Sequence, residues 1–175
     1  SITTLNYILN KDFKIILFLV LAIIGLIDDL KNLSTKFRLI IQCLIGISYS
    51  CLIFNNSIFS YLNINEYSWI MSLLIIVFMA FFFVATINFT NFSDGLDGLL
   101  TGSMIVIFLV ANYLNMLDFS PLIGGLIGFL FLNWYPSKVF MGDAGSYFLG
   151  SLYSSAIFLS DSLLNSLVLI IIGFP

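Results

Sequence analysis

The sequence has no histidine and only two cysteines among its 175 residues. The absence of histidine removes the usual proton shuttle at neutral pH and the commonest zinc ligand. Cys43 and Cys51 lie in one apolar segment, where a helix would separate them by about 12 Å. A disulfide between them is therefore excluded, because bridged Cα atoms lie within ~7 Å of each other.

Charge is scarce as well. Charged residues make up 9% of the chain, hydrophobic residues make up 61%, and the mean hydropathy is +1.13. Because a soluble domain carries about 25% charged residues, this composition predicts an integral membrane protein. There is also no basic run, Walker loop or dinucleotide fingerprint, so we expect no nucleic-acid partner, no ATP hydrolysis and no hydride transfer.

The apolar segments predict an all-α bundle of transmembrane helices, because strand periodicity is absent and the runs are too long for barrel strands. A span needs ~20 residues, or fewer where its ends are hydrated. We treat residues 1–175 as a single membrane domain truncated at both ends. The predicted spans are Lys14–Ile27, Phe37–Phe54, Ser68–Ile87, Leu99–Leu117, Pro121–Tyr135, Gly145–Ser160 and Leu163–Phe174.

Five of the nine acidic residues lie in three short clusters between these spans: Asp28 with Asp29, Asp94 with Asp97, and Asp143. Two spans separate each cluster from the next, so all three are expected at one membrane face. The connections on the other face, Asn55–Tyr67, Asp118–Ser120 and Asp161–Ser162, contain no lysine or arginine. The positive-inside rule therefore places the clusters in the cytoplasm, together with Lys31, Lys36, Arg38 and Lys138.

The first cluster pairs two adjacent carboxylates with nearby cations. Asp28 and Asp29 end a predicted span, and Lys31, Lys36 and Arg38 follow them. These cations could bind phosphate groups, while the alternative interpretation is a polar helix exit into a loop.

The second cluster spaces its polar residues by three. If the helix continues through the cluster, Asn88, Asn91, Asp94 and Asp97 share one face. Amide and carboxylate oxygens on one stripe suit a hard cation or a polar ligand. The alternative is a helix break in which Ser93 or Asp94 caps the next span.

The third cluster surrounds Asp143, which Gly142 and Gly145 flank ahead of a new helix. The amides at a helix N-terminus can bind phosphate. The ring of Phe140 could stack on a base, although aromatic residues near a bilayer more often form an interfacial belt. Because Mg²⁺ is typically held by one or two carboxylates and substrate phosphates, the three clusters together predict phosphoryl transfer with a divalent metal at the cytoplasmic face.

These motifs resemble those of the polyprenyl-phosphate N-acetylhexosamine-1-phosphate transferases, glycosyl transferase family 4. The resemblance is carried by Asp28-Asp29, by the NxxNxxDGxDGL stretch Asn88–Leu99, and by Phe140-Met-Gly-Asp-Ala-Gly-Ser146, with support from Asn133 and the segment Leu33–Gln42. It implies a multi-pass enzyme of the bacterial cytoplasmic membrane. That enzyme would transfer a sugar-1-phosphate from a UDP-sugar to undecaprenyl phosphate and release UMP, the first membrane step of a cell-envelope glycan.

The resemblance also implies roles for individual residues. Asn91 and Asp143 would bind Mg²⁺, with Mn²⁺ as an alternative ion. Asp28 or Asp29 would deprotonate or orient the lipid phosphate, and Asp94 and Asp97 would shape the nucleotide-diphosphate site. The implied substrate-binding residues are Asn88, Asn133, Phe140, Lys31, Arg38 and Gly142.

Other interpretations remain open at this stage. The stretch Ser34–Leu39 favours a GlcNAc-type or O-antigen-type transferase over the muramoyl-pentapeptide transferase of peptidoglycan synthesis. Direct in-line attack is favoured over a covalent aspartyl intermediate. Membrane carboxylates also occur in ion-coupled transporters. A third class is a structural or assembly subunit of a membrane complex, because the pairs Gly98–Gly102 and Gly124–Gly128 have the GxxxG spacing of packed helices. A homodimer is a further possible partner arrangement.

Overall fold

The computed structural model of the chain describes residues 2–54, 69–114 and 118–173, with side chains from residue 14 onward. These residues form an all-α bundle with no strand, which confirms the predicted fold class. The helices are α1 (Ile2–Lys31), α2 (Thr35–Ile53), α3 (Trp69–Ser93), α4 (Leu99–Tyr113), α5 (Ser120–Asn133), α6 (Gly142–Phe158) and α7 (Leu163–Gly173).

Local signals set the helix ends that surround the acidic clusters. After α1, Asn32 takes a left-handed φ of 51°, and Ser34 then caps α2 by accepting a hydrogen bond from the Phe37 amide. Gly98, with φ 71°, precedes α4. Asparagine and glycine tolerate this backbone region better than other residues. The turn after Asp28 and Asp29 and the turn that contains Asp94 and Asp97 are therefore short.

Helix α6 is the central element of the fold. Its most extensive contacts are with α1 and α3, and most of its residues after Gly145 are buried. Two glycines permit these close approaches. A Cβ atom on Gly25 of α1 would overlap the backbone of Asp143 and Ala144, and one on Gly150 would overlap Thr90 of α3.

Two groups of buried apolar residues hold the bundle together. One lies among α4, α5, α6 and α7, and the other joins α1, α2 and α3 to α6. In the second group the rings of Tyr49 and Phe83 stack with their centroids 5.0 Å apart. Such pairs add about 1 kcal/mol beyond the area that they bury. Tyr147, near the start of α6, belongs to the same group, which holds this end of α6 against α1 and α3.

The outer surface of the bundle is apolar. Side chains such as Phe81, Leu74 and Leu30 are 73%, 58% and 74% exposed. Exposing so much apolar surface is unfavourable in water, whereas it is favourable in lipid. Among the described helices, α2 and α3 are long and apolar enough to cross a bilayer, and α4, α5 and α7 are shorter apolar helices. The chain is a membrane protein; the seven separate crossings stay a prediction.

Two expectations about the helices need correction. Helix α3 ends at Ser93, so the polar stripe does not continue through Asp94 and Asp97, which lie in a turn. The GxxxG glycines Gly102, Gly124 and Gly128 have no atom near their Cβ positions, so they do not pack the described helices together. Both cysteines are free, as expected. The predicted connection 55–67 lies outside the described residues.

Candidate active site

The three acidic clusters meet at one end of the bundle, around the first turn of α6. The carboxylate of Asp29 accepts hydrogen bonds from the amides of Asp143 (3.0 Å) and Ala144 (3.3 Å), and that of Asp94 accepts one from the Gly142 amide (2.9 Å). The convergence predicted from the even number of spans is confirmed. These three amides are used by the protein's own carboxylates, so the expectation that they offer a free phosphate site is wrong.

An arginine joins the first and third clusters. One guanidinium nitrogen of Arg38, Nη1, lies 2.6 Å from Asp28 Oδ2 and 3.2 Å from Asp143 Oδ2. Asp28 is only 5% exposed, and its other oxygen accepts a 2.6 Å hydrogen bond from the Leu33 amide. Since a buried carboxylate is costly without partners, these contacts explain how Asp28 stays charged inside the bundle.

Asp143 has more hydrogen-bond partners than a helix cap requires. The side-chain amide of Asn91 donates to Asp143 Oδ1 and, at 3.0 Å, to Ser146 Oγ. The hydroxyl of Tyr147 donates to Asp143 Oδ2 at 3.2 Å. The carboxylate therefore lies between α1, α2 and α3 while its backbone belongs to α6.

An open cavity of about 290 Å³ lies over these groups. Its walls are mostly polar, and they combine three carboxylates with the guanidinium of Arg38. The lining residues are Asp28, Asp29, Asn32, Leu33, Arg38 and Asp143. Such a cavity suits a charged ligand that brings both negative groups and a cation.

Asp94 and Asp97 have different environments although they are only three positions apart in the sequence. Hydrogen bonds from the Ser137 hydroxyl (2.7 Å) and amide (3.0 Å) lower the pKa of Asp97 below its ordinary value. Burial raises the pKa of Asp94, and the Gly142 amide opposes this shift. Asp97 thus fastens the loop before α6 to the turn before α4, whereas Asp94 supports the start of α6.

Asn133 ends α5 and Phe140 lies in the loop that follows, and the two side chains differ in exposure. Asn133 is 1% exposed; its oxygen accepts from Thr101 (2.7 Å) and its nitrogen donates to the Val139 carbonyl (2.9 Å). This side chain holds the loop and is not presented to a substrate. Phe140 is 54% exposed, as a ring that stacks on a base would have to be.

Asn88 and Lys31 lie outside the cluster of contacts around Asp143. The amide of Asn88 donates to Gln42 Oε1 on α2 (2.6 Å) and to the Val84 carbonyl (2.8 Å). The Asn88 side chain therefore faces α2, about one helical turn before Asn91 in α3. Lys31 is exposed at the end of α1.

Reasoning from the sequence missed Tyr147, Ser137 and Ser146. Tyr147 and Ser146 lie within one helical turn of Asp143, and residues four apart share a helix face, so that spacing was a usable signal for Tyr147. Ser137 carried no such signal, because its contact with Asp97 depends on the path of the loop between α5 and α6.

Comparison with known proteins finds a matching family model and similar proteins. A family model described as glycosyl transferase family 4 matches residues 13–161. The phospho-N-acetylmuramoyl-pentapeptide-transferase of Prochlorococcus marinus (strain NATL2A) is 34% identical over 185 aligned positions, covering 94% of this chain and 49% of that protein. Proteins of the same name from Clostridium novyi (strain NT) and Staphylococcus saprophyticus are 32% and 31% identical.

The Clostridium alignment covers 89% of this chain and 53% of the relative, and the Staphylococcus alignment covers 99% and 61%. The chain thus spans about half the length of the curated relatives that it matches. The family model covers most of the chain, including all three acidic clusters. The chain therefore belongs to glycosyl transferase family 4, as the resemblance of its motifs to the polyprenyl-phosphate N-acetylhexosamine-1-phosphate transferases predicts.

Proposed function

We propose that the full-length protein transfers a sugar-1-phosphate from a UDP-sugar to a polyprenyl phosphate and releases UMP. The observation that carries this proposal is the convergence of Asp28, Asp143 and Arg38 over one open polar cavity at the end of an apolar bundle. A lipid acceptor and a water-soluble donor can meet only at such a boundary. Family membership supports the same reaction class.

The donor set near Asp143 fits a magnesium ion that is completed by substrate. Within the described ranges, no three His, Cys, Asp or Glu side chains form a metal site by themselves. Mg²⁺ does not need such a cage, because it commonly binds one or two carboxylates together with phosphate oxygens and water. Half a turn of the Asn91 amide would replace the nitrogen that faces Asp143 with its oxygen. We therefore assign Asp143 and Asn91 to Mg²⁺ or Mn²⁺.

In the proposed reaction an oxygen of the lipid phosphate attacks the β-phosphorus of the UDP-sugar in line. The new P–O bond forms as the bond from that phosphorus to the bridging oxygen breaks, and UMP leaves with the electron pair. A bound divalent ion would neutralise charge on the diphosphate. Arg38 would attract and orient a phosphate, and Asp28, which holds Arg38, would orient or deprotonate the acceptor phosphate.

The remaining residues position these groups or hold the nucleotide. Asp29 and Asp94 fix the first turn of α6, Asp97 fixes the preceding loop through Ser137, and the exposed Phe140 would stack on uracil. We place this end of the bundle in the cytoplasm, where UDP-sugars are made, because the lysines and arginine near the clusters follow the positive-inside rule.

The identity of the sugar donor is a separate part of the proposal. A UDP-N-acetylhexosamine donor, as in GlcNAc-type or O-antigen-type transferases, follows from the stretch after the first cluster. The relatives described above carry the name of the muramoyl-pentapeptide transferase, which favours a UDP-muramoyl-pentapeptide donor. Both donors would use the same diphosphate chemistry, so only a direct comparison of the two distinguishes them.

An ion-coupled transporter is less compatible with the structure. The acids lie at the ends of α1, α3 and α6, whereas transporter sites usually lie near the bilayer midplane on broken helices. The described acidic groups also contact helix amides and an arginine that fix their positions.

The test uses full-length protein in detergent with undecaprenyl phosphate, Mg²⁺ and a panel of donors that includes UDP-GlcNAc and UDP-muramoyl-pentapeptide. We expect lipid-dependent UMP release with one donor, and loss of at least about 100-fold in Asp143→Ala. Asp118→Asn is the matched control, since Asp118 caps a turn at the other end of α4. A well-folded wild type that releases no UMP with any donor would refute the proposed reaction.

A further inference from the structure

Tyr147 connects the apolar core to the centre of the site. Its ring is 1% exposed and packs in the core that contains Tyr49 and Phe83. Its hydroxyl emerges at the cavity end, 3.2 Å from Asp143 Oδ2 and 3.5 Å from Arg38 Nη1. Because Tyr147 follows Asp143 by four residues, one turn of α6 places both side chains on the same face.

The hydroxyl adds nothing that packing needs. A phenylalanine would fill the same space, and a buried hydroxyl destabilises a core unless it is hydrogen-bonded. Here the hydroxyl donates its single proton to Asp143 and accepts from Arg38, so it is satisfied only by groups of the site. The hydroxyl is therefore explained by its contact with Asp143 and not by packing.

The partners of the two oxygens of Asp143 are unequal. Oδ2 accepts from both Arg38 and Tyr147, whereas Oδ1 faces the amide of Asn91. Two donors on one oxygen hinder rotation of the carboxylate. When Arg38 turns toward a phosphate, Tyr147 is the donor that remains on Oδ2.

We propose that Tyr147 is a positioning residue that holds Asp143 Oδ2, so that Oδ1 stays directed at Asn91 and at the divalent ion bound there. This inference deepens the proposed function and rests on its assignment of Asp143 and Asn91 to the metal. Partners that orient a metal ligand typically change metal affinity by 10- to 100-fold when they are removed. We expect about a 10-fold effect, since Arg38 also donates to Asp143 Oδ2.

The experiment compares Tyr147→Phe with Tyr153→Phe in the full-length protein. Tyr153 lies on the same helix, is 0% exposed and donates its hydroxyl to the Leu169 carbonyl (3.0 Å), away from the site. Binding of Mn²⁺ alone is measured by loss of the free-ion EPR signal. The Mg²⁺ concentration for half-maximal UMP release is measured separately, and thermal unfolding shows that both variants are folded.

The expected result is about a 10-fold rise in the Mn²⁺ dissociation constant and in the half-saturating Mg²⁺ concentration for Tyr147→Phe, with little change for Tyr153→Phe. Equal changes in both variants, or none in either, would overturn the inference, as would a wild type that binds no Mn²⁺. A wild type that binds Mn²⁺ but releases no UMP would refute the proposed function, and the Mn²⁺ comparison would still decide the role of Tyr147.

Discussion

At the scale of single residues, the adjacent carboxylates of Asp28 and Asp29 have separate tasks. Successive residues on a helix point about 100° apart, so neighbours meet different partners. Asp28 is buried against Arg38, whereas Asp29 is exposed and accepts the amides of Asp143 and Ala144. The repulsion expected between two neighbouring acids is thereby relieved by a cation on one side and by the positive end of a helix on the other.

This division predicts that removal of the negative charge lowers activity much more at Asp28 than at Asp29. Asp28→Asn should lower UMP release by roughly 100-fold, because Arg38 loses its charged partner and the acceptor phosphate loses its proposed base. Asp29→Asn keeps an oxygen that can accept from the α6 amides, so its activity should stay within about 10-fold of wild type. Asp29→Ala removes that acceptor and should cost about 1 kcal/mol of stability. Inactive Asp29→Asn with an unchanged melting temperature would contradict the capping role.

The contact between Asp97 and Ser137 predicts a dependence of stability on pH. The folded pKa of Asp97 is lowered, so its ionised form stabilises the fold above the ordinary value of 3.8. That contribution is lost as the pH falls through the folded pKa. The difference in melting temperature between wild type and Asp97→Asn should therefore shrink between pH 6 and pH 3. A difference that stays constant over this range would show that the charge of Asp97 does not stabilise the loop.

At the scale of elements, the junction of α1 with α6 decides the geometry of the site. Gly25 lies against the backbone of Asp143 and Ala144, and Gly142, with φ 71°, brings its Cα close to the Asp29 carboxylate. A Cβ on Gly142 would lie 2.7 Å from Asp29 Oδ2. The two glycines thus let the end of α1 and the start of α6 approach more closely than side chains would permit.

Gly25→Ala should therefore destabilise the protein by roughly 1–3 kcal/mol, the usual cost of overpacking, and reduce UMP release. Gly102→Ala is the matched control: Gly102 also lies within a helix, but nothing surrounds its Cβ position. Alanine there should be neutral or should stabilise by up to about 1 kcal/mol, because it favours the helix. Thermal unfolding in one detergent compares the two variants; equal melting temperatures would show that the junction tolerates a methyl group.

The sequence predicted the elements better than it predicted their side-chain contacts. Hydropathy located each helix in the described part of the chain, and the even number of spans between clusters correctly predicted that Asp29, Asp94 and Asp143 meet. The three-residue spacing of the polar side chains favoured a helix that continues through Asp94. Instead, α3 ends at Ser93, and Gly95 and Gly98 lie in the turn that follows. The contact of Asn133 with Thr101 and that of the Gly142 amide with Asp94 join residues 32 and 48 positions apart, and no local pattern encodes them.

At the scale of the whole molecule, an apolar outer surface surrounds a polar site at one end. The positive-inside rule predicts that this end is cytoplasmic. Single cysteines in a Cys43→Ser, Cys51→Ser background test it: Lys138→Cys lies at the site end, and Asp161→Cys lies in the turn between α6 and α7. A membrane-impermeant maleimide should label Asp161→Cys in intact spheroplasts and Lys138→Cys only after lysis. The reverse pattern would invert the orientation.

The contact of Asp29 with Asp143 joins residues 114 positions apart, and that separation has a consequence for biosynthesis. When α1 and α3 are made, α6 has not yet been synthesised, so Asp29 and Asp94 lack the α6 amides that they contact in the folded protein. The acidic cluster is complete only after α6 has been made and has joined these helices. We expect truncation of the chain before α6 to leave Asp29 and Asp94 without these partners and exposed to membrane quality control.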